Sequence, residues 1–163
     1  MSYLAGAILS ATYTSAQWAT SGKSFSPGTR MTDKSGQEWV FVQASGSLTA
    51  YDAVKIQANY RAGQITIDTA KEAVEVGFAQ VAFGVDEYGW VMVNGRPLIR
   101  LAADADKDLA LYCTTTGGVL DDATTSSMIQ GVVCTTSVTG ATTAATCVAR
   151  FPTISRSSNL TSI

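Results

Sequence analysis

The sequence contains no histidine. That single absence removes the Ser-His-Asp and Cys-His arrangements of nucleophilic catalysis, together with the commonest side-chain ligand of transition metals. Cysteine is scarce as well. Cys113, Cys134 and Cys147 are odd in number, widely spaced and set in Thr-rich apolar contexts (LYCTTT, GVVCTT, ATCVAR). They read as small buried thiols rather than a disulfide framework or a metal site, and they fit a reducing compartment. Charged residues make up only 15% of the chain, and the eleven basic ones are scattered singly against a net charge of −2, so there is no electrostatic footprint for nucleic acid. No run of about 18 apolar residues is present to cross a membrane as a helix. Tyr3–Ala11 (YLAGAILSA) has the apolar character of a signal-peptide core without the basic residues that should precede it, so no leader is expected.

What the chain does have is small, β-branched and aromatic residues: 46% is apolar, and Gly, Ala, Ser and Thr abound. That composition excludes disorder and suits a β protein with much of its surface covered by other protein. The 163 residues suffice for one domain with a real core. The most legible stretch is Asp86–Leu101 (DEYGWVMVNGRPLIRL). Trp90–Val93 suits a strand, Asn94-Gly95 suits a two-residue hairpin turn, and Leu98–Leu101 alternates as the returning strand, with Pro97 at its start or on an edge. A second hairpin is expected where Asp33–Gly36 separates Thr29–Thr32 from the aromatic strand Gln37–Ala44. Further strands are expected at Ala53–Gln57, Gln64–Asp68, Val76–Phe83, Leu109–Cys113, Val119–Leu120, Ile129–Thr135 and Ala145–Phe151. Ala58–Gly63 reads as loop, and Thr69–Glu75 as one helical turn. The pattern predicts a mainly β fold: an antiparallel β-barrel or β-sandwich of about eight to ten short strands with an extended N-terminal arm. The expected divisions are an arm at residues 1–26, a β domain at 27–154 opening on the Pro27-Gly28 turn, and a C-terminal tail at 155–163.

The arm carries Tyr3, Leu4, Ile8, Leu9, Tyr13, Trp18 and Phe25 at a spacing that fits neither a helix stripe nor strand alternation. Such an apolar segment needs a surface to lie on. It either packs on its own domain or reaches across a neighbouring subunit or partner, and the second reading is favoured. Trp39, Phe41, Phe83, Tyr88 and Trp90 fall on strand patterns and are expected in the core and at subunit interfaces. As a stacking platform for sugars or bases they lack the basic neighbours that single-stranded nucleic acid needs. The carboxylate pairs Asp86-Glu87 and Asp121-Asp122 sit in predicted turns, and no spacing makes either an acid/base couple. Asp33–Gly36 lacks the alternating ligands of a calcium loop, and Gly117-Gly118 is not followed by the Lys-Ser/Thr of a phosphate cradle. No catalytic, cofactor-binding or metal-binding set emerges, and an enzyme is not expected.

Four short motifs occur in a telling order. They are Gly36, Glu38, Trp39, Phe41, Val42 and Ala44; then Leu48, Ala50, Asp52, Ala53 and Val54; then Tyr88, Gly89, Trp90, Val91, Val93 and Gly95; then Leu111, Tyr112, Thr114, Gly118, Leu120, Asp121 and Asp122. With the apolar arm and the Pro27-Gly28-Thr29 turn ahead of them, they resemble the small capsid decoration, or cement, proteins of tailed bacteriophages over residues 25–152. The resemblance implies a non-enzymatic virion protein, made in the host bacterial cytoplasm, that forms homotrimers on the outer capsid surface at or near three-fold and quasi-three-fold positions. There it would clamp major capsid protein subunits, with no cofactor, nucleic acid or membrane involved. The apolar chemistry of the arm residues would then set them against the capsid or a neighbouring protomer, and the five strand aromatics would be buried in the core and at subunit contacts. The alternative is a virion-displayed module that binds a host surface or glycan through Trp90 and its neighbours, or the base of a head fibre.

Overall fold

The computed structural model describes residues 7–20, 25–71, 73–125 and 127–156. Its strands are β1 (Arg30–Thr32), β2 (Glu38–Ala44), β3 (Ala53–Ile56), β4 (Arg61–Gln64), β5 (Glu75–Ala79), β6 (Tyr88–Gly95), β7 (Leu98–Leu101), β8 (Leu111–Cys113), β9 (Leu120–Asp121), β10 (Ser127–Cys134) and β11 (Thr143–Arg156). The fold is mainly β and barrel-like, as the turn-rich sequence predicts, with eleven strands in one sheet. Two pairings, β2 with β4 and β7 with β9, are parallel, so the sheet is mixed rather than wholly antiparallel.

The sheet closes on itself twice. β2, β4, β3, β5 and β6 pair in turn and return to β2. β11, β10, β8, β9 and β7 do the same and return to β11. Each ring encloses its own apolar cluster. Val40, Val42, Val54, Ile56, Val91 and Val93 fill the first with Ala44, Ala62 and Ala79. Ile99, Leu101, Leu111, Leu120, Ile129 and Ile154 fill the second. In the first ring, valine and alanine suit the limited space that five strands enclose. The long strand β11 joins the rings, pairing along one edge with β7, then β6, then β5. Closure leaves few free edges to template aggregation.

The hairpin expected at Asn94-Gly95 is corrected. Both residues belong to β6, where Asn94 pairs with Glu38 and Arg150, and Gly95 with Ala149. β7 instead pairs with β9 and β11, so the Arg96-Pro97 step carries the chain from the first ring into the second. A two-residue type I′ turn needs positive φ at both central residues, and Asn94 keeps a negative one. Pro97 also pushes Arg96 towards an extended backbone. The second expected hairpin forms: β1 and β2 pair antiparallel, and Asp33 organises the turn by accepting the Ser35 and Gln37 N–H groups and the Trp39 indole N–H. Ala58–Gly63, expected as loop, contributes to β4, and the strand expected over Gln64–Asp68 ends at Gln64. Over Thr69–Glu75 no helix forms among the described residues. Thr66 and Thr69 close a turn through their hydroxyls.

The cysteine expectation is also corrected. Cys134 on β10 and Cys147 on β11 are direct cross-strand partners and form a disulfide, leaving only Cys113 free. Their carbonyl and amide groups bond outwards, Cys134 O accepting from Asp108 and Cys147 N–H donating to Pro97, so the pair occupies a non-hydrogen-bonded site where facing strands approach most closely. Sequence separation concealed a neighbourhood that only the register creates. Burial pushes the Cys113 thiol up to about 11, so it stays protonated and unreactive at neutral pH. Replacing Cys134 and Cys147 together by serine should cost roughly 2–3 kcal/mol in urea denaturation, as expected for releasing a loop of this size.

Candidate partner-binding surfaces

The aromatic residues singled out in the sequence divide between two places. In β2 and β6 the side chains alternate, and those that do not fill the first ring point outward, where Trp39, Phe41, Tyr88, Trp90, Met31 and Met92 form one buried cluster. Register explains the grouping: Phe41 lies opposite Trp90, and Trp39 opposite Met92. Phe83 is separate, inside the first ring, where Gly89 leaves room for it: a Cβ at Gly89 would stand 2.6 Å from its ring.

The N-terminal segment covers that outward face. Leu9, Tyr13, Trp18 and Phe25 pack against the cluster, so the segment expected on a neighbour lies on its own domain. Tyr13 and Tyr88 exchange backbone hydrogen bonds of 2.8 Å each. A short helix, α1 (Ser15–Thr20), follows. It is started by a capping box, in which the Thr14 hydroxyl accepts the Gln17 N–H while the Gln17 side-chain carbonyl accepts the Thr14 N–H. The arm is therefore not wholly extended, and the Thr14–Gln17 spacing is the signal that announces the helix. The helix brings Trp18 onto Tyr88, stacked at 4.4 Å and 8° between planes. Phe25 meets Trp90 edge-to-face at 5.1 Å and receives the Trp18 indole N–H on its carbonyl. Ile8 is left 57% exposed. Tyr3 and Leu4 lie outside the described residues. Trp39, Phe41, Phe83, Tyr88 and Trp90 are all buried, so none presents the open ring face that a stacking platform needs.

The acidic pairs serve their turns. Asp86 bonds Arg61, Glu87 accepts the Gly84 N–H, Asp121 accepts the Asp122 N–H, and Asp122 accepts the Asp106 N–H. Among the described residues no three Cys, Asp or Glu side chains converge as metal ligands, and no helix is long and apolar enough to cross a membrane.

The buried polar centre that sequence reading overlooked is Asp52. Fully buried between the rings, its carboxylate accepts from Arg100 on β7, from Gln64 on β4 at 2.6 Å and from the Thr49 N–H at 2.7 Å. Gly118 is pressed against it: a Cβ there would stand 2.4 Å from Asp52 Cγ, and its φ of +73° suits glycine. A fully buried carboxylate held by three donors from three separate segments fixes the relation of the rings. A solitary Asp in an apolar strand entry (TAYDAV) was the available signal. No protein-family model, curated protein or solved structure matches this chain.

Proposed function

We propose that the chain is a structural virion protein, a capsid decoration or cement protein of a tailed bacteriophage. It binds the outer surface of the head as a homotrimer at or near three-fold and quasi-three-fold positions and bridges major capsid protein subunits. The observation that carries this reading is that the four motifs of the resemblance, far apart in sequence, build one connected scaffold. Trp39 and Phe41 of the first face Met92 and Trp90 in the strand of the third, and Asp52 of the second lies against Gly118 of the fourth. A rigid pair of closed rings with low surface charge suits a clamp, because such a body loses little conformational entropy when it docks. A protein that binds only the expanded shell stabilises it by mass action, and many copies sum. With Leu9, Tyr13, Trp18 and Phe25 engaged on their own domain, Ile8 is the described arm residue left to meet a neighbour. The test is co-sedimentation with empty shells of the partner major capsid protein. Saturable binding to expanded shells, with little to unexpanded ones, is expected. Equal binding to both forms, or to neither, would remove the proposal.

A further inference from the structure

Three arginines on the strands of the two rings are matched with carboxylates: Arg30 with Glu75, Arg61 with Asp86 and Arg100 with Asp52. Arg96 and Arg150 have no such partner among the described residues, and both line one cleft of about 370 Å³. Its apolar floor is Val148 and Ala149, and Gly95 keeps its wall low. Arg150 and Val148 also line an adjoining hollow of about 290 Å³ beside Val132 and Val133, so the depression continues across β11 onto β10. The nearest acid of the β2–β6 pair, Glu38, is engaged by the Asn94 amide at 3.1 Å.

The next residue is the most unusual in the fold. Phe151 lies mid-strand with φ of +45°, a conformation costly for a bulky side chain, and the residue is 48% exposed. It stands where Arg150, Phe151 and Pro152 face the single residue Gly131, since Val132 pairs with Ala149 and Gln130 with Thr153. Gly131 permits the bulge, because a Cβ there would stand 2.8 Å from the Arg150 carbonyl. A strained backbone that holds an apolar residue in solvent, one position along the chain from the unmatched Arg150, has the composition of a protein-binding hot spot.

We infer that this groove binds an extended acidic segment of a partner protein, its carboxylates on Arg96 and Arg150 and an apolar side chain against Phe151. Carboxylate suits the planar donor fork of arginine. A nucleic acid is disfavoured, since two cations on a net-negative chain neutralise few phosphates. The inference does not depend on the partner being a capsid shell.

The test uses the full-length protein and the capped peptide acetyl-Glu-Leu-Glu-Leu-Glu-amide, followed by amide NMR shifts. Shifts concentrated at Gly95, Arg96, Val148, Arg150 and Phe151 are expected. Arg96→Gln and Arg150→Gln should each weaken binding ~10-fold, the loss typical of a hot-spot side chain. Phe151→Gly should weaken it comparably while leaving Tm unchanged or raised, since glycine accepts the positive φ. Retained affinity in Phe151→Gly would remove the ring from the site. The proposal is overturned if the Gln-Leu-Gln-Leu-Gln peptide binds as well, if shifts fall elsewhere or are absent, or if a short oligothymidylate binds more tightly. It is also overturned if Arg150→Gln alone changes the mass in solution, which would make a second copy the occupant.

Discussion

Trp90→Ala should be among the most damaging single substitutions in this chain, lowering stability by about 3–5 kcal/mol, the usual cost of truncating a large buried aromatic. Trp90 is fully buried and meets Phe25 and Phe41 edge-to-face, each at 5.1 Å. Truncation therefore opens a cavity between the outer face of β6 and the arm that covers it, and Phe41, fixed opposite by the β2–β6 register, is poorly placed to fill it. Against a typical domain stability of about 5–15 kcal/mol the loss is severe. Trp90→Phe separates volume from polarity. The Trp90 indole N–H is buried with no hydrogen-bond acceptor, so phenylalanine keeps much of the ring contact while removing an unsatisfied donor. Urea denaturation of the two variants should show a cost for Trp90→Phe well under half that of Trp90→Ala. Equal costs would mean that the indole edge, not ring volume, holds the arm.

Asp52→Ala should cost about 3 kcal/mol or more, the lower part of the range for breaking a buried ion pair, because the Arg100 side chain keeps some contact with water. The substitution strands three donors at once: the Arg100 guanidinium, the Gln64 amide and the Thr49 N–H. Gly118→Ala should produce a related loss from the other side, by pushing on the carboxylate and by placing a side chain at φ of +73°. A double-mutant cycle between Asp52→Ala and Arg100→Met, followed by urea denaturation, should return a coupling energy above about 1 kcal/mol. Additivity would show that the pair contributes nothing beyond its separate environments.

Much of the fold was legible where residue type and period agreed. EWVFV and YGWVMV alternate large aromatics with valines, and in the folded chain the valines fill a ring while the aromatics face outward. The β1–β2 hairpin was legible because Asp33 and Gly36 suit its turn. Asn94-Gly95 misled because a local turn signal was outweighed by long-range pairing: β6 finds β2, β5 and β11, and Pro97 sends the chain onward. Cys134 and Cys147 could not be matched from spacing, since their meeting depends on the register of β10 against β11, which the Gly131 bulge resets. The arm's apolar character was legible, whereas its seat was not, because an apolar segment satisfies the same physics on its own domain or on a neighbour's. Arg150 and Phe151 were read as an ordinary strand end. Pro152 directly after them was the sign of a bulge, since proline inside a paired strand marks a break in the ladder.

The most direct measurement of the proposed clamp is the melting temperature of empty expanded shells, by scanning calorimetry, with and without saturating amounts of the full-length protein. A rise in the shell transition that grows with occupancy is the expected result, since ligand binding confined to the assembled state must shift its equilibrium. A shell transition unchanged at saturation would contradict the clamp.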